Sequence, residues 1–433
     1  MKRCALAALL AAMLFGLAFS ASATELKVKG NLDVHGLWSA NLRDFDSDTA
    51  DGDNYYTTQR MRTYFTFLQS ENLKAVLGLE INTDWGQGSG GDWGTDGTLD
   101  TRVKHAYIDF KFPDTAINVK AGLQGISLPS MFGNPVFDDD AAALVVSAPI
   151  NDMFGLTVGY TRGADRNDPN DVKINRITGE FTDYADQDDM DMAFLAAPIT
   201  LDAFALTPYF AYAMIGENTG YSYQDNDDST VWIVGANAEL TVFDPLTFAA
   251  DVIYGVGESD DYETKGWYAD LAASYKFSML TATLFGTYGT GADDADDEDN
   301  FLPTLSEGWE LTPYLGGLRA FNTGASDGFF TDTVGVGNSG TGLWTVGVKL
   351  ADITFVDKLS HNLTVLYARG TSDEDADVWF DEEDSAWEVY MVNKYMIYEN
   401  LAAINELGFF ALDHDDLDAD NSYFGSVGLS YKF

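Results

Sequence analysis

From residue 25 onward the chain alternates. In ELKVKGNLDVHGLWSANL, Leu26, Val28, Leu32, Val34, Trp38 and Leu42 fall on one side, and Glu25, Lys27, Lys29, Asn31, Asp33, His35 and Asn41 on the other. Successive side chains of a strand point to opposite faces, so this is a strand with one apolar and one polar wall. The same period returns in LKAVLGLEI (73–81), FGLTVGY (154–160), LTFAADVIYGV (246–256), WYADLAASYKF (267–277) and the final FGSVGLSYKF (424–433). A sandwich also alternates, but these runs reach about ten residues, where soluble strands average nearer five or six. The joins between them take turns in length. Short ones fall near Glu71-Asn72, Pro113-Asp114, Asn151-Asp152, Thr200–Asp202, Asp244-Pro245, Phe277–Met279, Asp352–Lys358 and Glu399-Asn400. Long ones fall at 43–54, 86–98, 127–141, 163–187, 216–228, 257–264, 290–340, 370–384 and 413–421. Tight turns at one rim and long loops at the other are the signature of an all-β, transmembrane, up-and-down antiparallel β-barrel. Nine long and eight short joins predict 18 strands, with 16 as the alternative, and both termini at the short-turn rim.

Composition sharpens this picture in three ways. Residues 1–23 carry a basic start, an apolar run and Ala21-Ser22-Ala23, which reads as a cleavable export signal, leaving one barrel domain over 24–433. Removing Lys2 and Arg3 with it leaves 22 basic against 69 acidic residues, a net charge of −47. Such a charge excludes nucleic acid and anionic surfaces as partners and favours cations. The only cysteine, Cys4, lies in the leader, so no disulfide frame is available. Most acids crowd the long joins, as in DFDSDTADGDN (44–54), DDADDEDN (293–300), DEDADVWFDEED (373–384) and DHDDLDAD (413–420). Loose divalent-cation binding at that rim is expected, and no cofactor. Aromatic residues near strand ends read as interfacial girdles: Trp38, Tyr64, Phe110, Tyr160, Trp232, Phe243, Trp267, Tyr275, Trp344, Phe355, Trp387 and Tyr431. Enzyme chemistry finds no support. His414 between Asp413 and Asp415 is explained by rim solvation, and DLDADNSYFGSV lacks the glycine and glutamate of a calcium loop.

With these features the chain resembles the outer-membrane porins of Gram-negative bacteria. The strands KLSHNLTVLYARG (358–370) and NLAAINELGFFALDHD (400–415) are similar in particular to the homotrimeric porins of sulfate-reducing bacteria. The resemblance implies a homotrimer in outer-membrane lipid and lipopolysaccharide, passing small hydrophilic solutes without energy. It also implies that Phe433, with Val427, Leu429 and Tyr431 before it, is the signal read by the barrel-assembly machinery. In that family the third long loop folds inward, its acids facing a basic ladder. Here that loop is 127–141, ending in Asp138, Asp139 and Asp140, and the candidate wall partners are Lys29, Arg60, Arg62, Lys74 and Lys120. Arg102 and Lys104 share parity with Ala106, Ile108 and Phe110 and are therefore not assigned to the pore. The expected function is passive diffusion with cation preference. The alternatives are a sugar-type specific channel, with Tyr107, Tyr209, Tyr268 and Tyr390 as a stacking path, and a structural or adhesive barrel closed by the long extracellular loop 290–340.

Overall fold

The structure is a computed structural model. It describes residues 24–42, 44–48, 53–86, 100–165, 173–174, 181–182, 189–216, 219, 228–260, 262–293, 298–321, 341–376 and 378–433. The expected export signal lies outside the described residues.

Eighteen strands form the wall: β1 (Glu25–Ala40), β2 (Asn54–Ser70), β3 (Leu73–Asp84), β4 (Asp100–Lys111), β5 (Asn118–Ser127), β6 (Asp138–Pro149), β7 (Gly155–Ala164), β8 (Met190–Ala196, continued by Ile199–Leu201) and β9 (Phe204–Ile215); then β10 (Ser229–Phe243), β11 (Leu246–Glu258), β12 (Glu263–Lys276), β13 (Thr281–Gly289), β14 (Leu343–Val356), β15 (Leu359–Gly370), β16 (Ser385–Tyr398), β17 (Leu401–Asp413) and β18 (Ser422–Lys432). Each pairs antiparallel with the next in sequence. β18 then pairs with β1, from Asn31↔Lys432 to Ala40↔Tyr423, and closes the cylinder. Phe433 adds a last rung, its amide 3.0 Å from the Gly30 carbonyl. Closure leaves neither terminal strand of the sheet as an edge with unpaired backbone groups.

The alternation sorts as the sequence predicts. Outward-facing Val28, Trp38, Trp267, Leu271, Val427 and Leu429 are exposed, whereas Asp33, His35, Asp270 and Ser426 on the other face are buried. Aromatic rings meet in T-shaped or tilted pairs around the long-loop end, as in Trp232–Tyr254–Trp267 and Trp344–Tyr367–Trp387. Tyr64 is an exception to the girdle expectation. It pairs with Lys29 on the lumen side and its ring meets His105 at 5.3 Å. The join expected as long at 257–264 is a tight one, since β11 and β12 pair up to Glu258↔Glu263.

Two departures from a plain cylinder position the site. β5 and β6 pair with each other as far as Ser127↔Asp138, but β5 leaves β4 above Ala106↔Leu123 and β6 leaves β7 above Ala142↔Arg162. The end of this hairpin therefore peels from the wall as a separate ribbon. Gly122, at φ +125°, stands where the peel begins, and a Cβ there would strike the Ala106 carbonyl and Tyr107. The second departure is the segment between β13 and β14. Of its described residues, 301–321 do not lie over the rim as an extracellular loop but pack against the inner wall, with Leu302, Leu305, Tyr314, Leu315 and Phe321 buried.

Candidate functional site

The peeled ribbon carries residues 128–137 across the lumen. The carboxylate of Asp251 on β11 accepts bonds from the Met131 amide (2.6 Å) and the Ser130 hydroxyl (3.1 Å). Asn134 donates to the Tyr209 hydroxyl on β9 at 3.0 Å. The second loop is held by the neighbouring arc, from β12 to β17. Trp309 donates its indole N–H to the Tyr268 hydroxyl at 3.0 Å. Glu388 on β16 accepts from the Thr312 hydroxyl and, at 3.1 Å, from the Tyr314 amide. Glu406 on β17 accepts from Arg319 (3.2 Å), the Ala320 amide (2.7 Å), the Tyr390 hydroxyl (2.6 Å) and the Ser426 hydroxyl (2.5 Å). Buried carboxylates are tolerated only when so fully bonded.

The two loops also bond to each other. Leu305 N donates to Val136 O (2.9 Å), Asp138 N to Ser306 O (2.9 Å), Gly308 N to Asn134 O (3.0 Å) and Glu310 N to Phe132 O (2.7 Å). The result is a short ladder inside the barrel, and the constriction is the work of two loops where the sequence points to one. Between the ribbon and the β7–β8 wall lies a cavity of about 280 Å³, lined by Asp139, Thr161, Met190, Met192, Leu305 and Ser306 among others.

The three loop acids do not act as one row. Asp140 is engaged by Lys104 and, at 3.1 Å, by His105 Nε2. Asp138 packs beside Gly308. Asp139 is the exposed one, accepting from Ser306 Oγ at 2.8 Å. On the wall, Lys29 is open to the lumen, and Lys74 pairs with Asp109 at 3.0 Å. Lys120 lies 4.2 Å over the Tyr107 ring. Arg60 and Arg62 both reach Glu80, each at 2.5 Å, so one buried carboxylate holds two guanidinium groups in place. Arg102 corrects the sequence parity. A register shift between Gly78 and Leu79 on β3, opposite Lys104, leaves Arg102 paired with Glu80 on the lumen side. Val427, Leu429, Tyr431 and Phe433 lie exposed on the outer face at the closing seam.

Several residues of the constriction escape the sequence reading: Glu80, Asp251, Glu310, Arg319, Glu388 and Glu406. A signal exists for the wall members. Glu388 in WEVYM and Glu406 in INELGFF are isolated acids at inward positions of otherwise apolar strands, which demands a partner from elsewhere. Glu310 differs, since nothing local marks it. Its neighbours Trp309 and Leu311 are buried while it is exposed. Partial desolvation, then the charge of Asp138, raises its carboxyl above the ordinary value, and Arg62 pulls it back down.

Fold and site together define a class: a closed eighteen-stranded barrel narrowed by two loops that meet inside it. No protein-family model and no curated protein matches the chain. Solved structures do. A BenF-like porin from Pseudomonas fluorescens Pf-5 is 13% identical with a TM-score of 0.55, covering 94% of this chain and 98% of its own. Acinetobacter baumannii OccAB3 is 14% identical at 0.54, covering 94% and 99%. Pseudomonas aeruginosa OpdL is 12% identical at 0.54, covering 94% and 99%. At these identities the likeness shows the fold.

Proposed function

We propose that this chain is an outer-membrane porin, a non-enzymatic channel for passive diffusion of small hydrophilic solutes and ions. The observation that carries the reading is the closed barrel with its apolar outer band and a lumen whose short-turn half is lined by Lys29, Arg62, Lys74, Asn237, Lys349 and Lys394. A polar lining has no place in a packed core but suits a wet passage. The fold likeness to a porin supports it, and so does the resemblance stated above, on which the homotrimer and the assembly role of Phe433 also rest. Cation preference is supported by the acidic long-loop rim. A specific observation favours the opposite sign: the lysines lining the lumen below the loops. Of the stacking path that the sugar-type alternative needs, Tyr209, Tyr268 and Tyr390 are buried under the loops, their hydroxyls bonded to Asn134, Trp309 and Glu406, which leaves Tyr107, beneath Lys120, as its one half-buried member. Detergent-purified protein in planar bilayers is expected to give discrete open-channel conductance. The reversal potential under a salt gradient decides the ion preference, and absence of any conductance would overturn the proposal.

A further inference from the structure

We propose that the gap between β6 and β7 is a binding site, set through the barrel wall, for a small organic ammonium with an apolar body. The site lies beside the permeation path proposed above, and filling it does not require conduction.

Three features define the site. The first is topological. β6 pairs with β7 only up to Ala142↔Arg162 and leaves the wall above that rung. The cavity of about 280 Å³ lies in this gap and touches both faces of each strand: Asp139 and Ala141 as well as Asp140 and Ala142 on β6, Thr161 as well as Arg162 on β7. Neighbouring residues of a strand point to opposite faces of a sheet, so one cavity touching both passes through the plane of the wall. The ribbon is stitched to its other flank, β4, by Lys104 and His105, which both reach Asp140. On the β7 flank the tie at the last rung is the Thr161 hydroxyl, which donates to the Ala142 carbonyl at 3.1 Å.

Second, small residues keep the gap open. Ala141, Ala142 and Gly163 present almost no side chain to it. A Cβ on Gly163 would stand 3.1 Å from the Met190 sulfur, so a larger residue there would begin to fill the space. On the outer face the gap opens just above the exposed Leu144, Val158 and Tyr160, a surface along which an apolar group can reach it.

Third, the lining is chemically divided. Phe137, Met190, Met192 and Leu305 are buried and form an apolar floor, and methionine side chains adapt to irregular partners. At the polar end Asp139 is exposed and accepts the Ser306 hydroxyl (2.8 Å) and the Asp140 amide (2.6 Å). An ionised carboxylate has about four acceptor sites, so capacity for an N–H donor remains. The other charges at the gap are matched already. Lys104 holds Asp140, and Arg162 is held by Asp191 through two bonds of 2.9 Å and by Asp189 at 3.1 Å. That leaves the Asp139 carboxylate to select a cation and the floor to select an apolar body.

The test measures binding of phenethylammonium to the full protein in phosphatidylcholine nanodiscs by titration calorimetry. One saturable site per chain is expected. Phenylacetate, of opposite charge, and ethylammonium, without the ring, are expected to bind at least about tenfold more weakly. Asp139→Asn keeps the shape, removes the charge and is expected to lower affinity about ten- to a hundredfold. Ala141→Trp fills the gap from the lumen side and Ala142→Trp from the outer face, and each is expected to abolish binding. Ala142→Trp is also expected to leave single-channel conductance unchanged, which shows that the variant has folded. Binding that survives Ala142→Trp would confine the ligand to the lumen and overturn the wall site. Equal affinity for phenethylammonium and phenylacetate, or no saturable binding, would overturn it in the natural protein without recourse to any variant. Absence of conductance in the natural protein would overturn the porin reading instead and leave the binding result standing.

Discussion

At the scale of single residues, the lumen is organised by acids that strand patterning alone leaves unexplained. Glu406 is fully buried and takes four donors from three places: the second loop, β16 and β18. Replacing it with alanine removes a buried carboxylate partner of the Arg319 guanidinium, itself buried, at a cost of about 3–5 kcal/mol. That cost falls on the docking of 319–321 rather than on the wall ladder. Glu406→Ala is therefore expected to speed amide exchange at Ala320 while the barrel keeps its resistance to heating in detergent; unchanged exchange would count against the anchoring role. Glu310 gives a pH prediction. Its carboxyl is raised by partial desolvation and then by Asp138. A raised carboxylate takes up its proton earlier as pH falls, so its negative charge is fully present only above that raised value. Cation permeability is expected to fall at a higher pH than an ordinary carboxylate would give, and Glu310→Gln should abolish that early step in the titration.

At the scale of elements, β5 and β6 show where sequence pattern stops being informative. Their alternation reads like that of any wall strand, because a ribbon that leaves the wall still buries one face. What marks the departure is Gly122, whose φ of +125° and close approach to Ala106 no other residue accommodates without strain. Gly122→Val is expected to cost roughly 1–3 kcal/mol and to lower the folded fraction seen as heat-modifiable mobility on gels; an unaltered folded fraction would show that the peel does not depend on the glycine. The eighteen strands and the seam between β18 and β1 were legible because an apolar outer face and a polar inner face impose a period of two along the whole strand. Loop 290–340 was not legible, since its acidic flank, DDADDEDN, reads as solvated rim and conceals the apolar Phe301, Leu302, Leu305 and Leu315 that dock it. Arg102 was misread for a local reason: the register shift opposite Lys104 reverses the parity on which the assignment rests.

At the scale of the whole molecule, charge is separated along the barrel axis. Acids crowd the long joins, while lysines such as Lys29, Lys74, Lys120, Lys349, Lys394 and Lys432 line the lumen nearer the short-turn rim. The two populations respond to salt differently. Exposed rim carboxylates such as Asp373, Glu374, Asp375, Glu382 and Asp416 stand in bulk solvent, where screening shortens from ~30 Å at 0.01 M to ~3 Å at 1 M, so their influence on the entrance collapses as salt rises. Charges within the narrowed lumen are partly buried between low-dielectric walls, are screened much less and keep more of their effect. An ion arriving from the long-loop side therefore meets attraction for cations first and a fixed internal field second, whereas one from the short-turn side meets them in reverse. The expected outcome is an asymmetric current–voltage curve at low salt that becomes nearly symmetric at 1 M, with the residual selectivity at high salt set by the constriction. Recording one orientation of inserted channels from 0.05 M to 1 M tests this directly. A curve that stays equally asymmetric across that range would locate the asymmetry in the lumen and leave the acidic rim without a role in permeation.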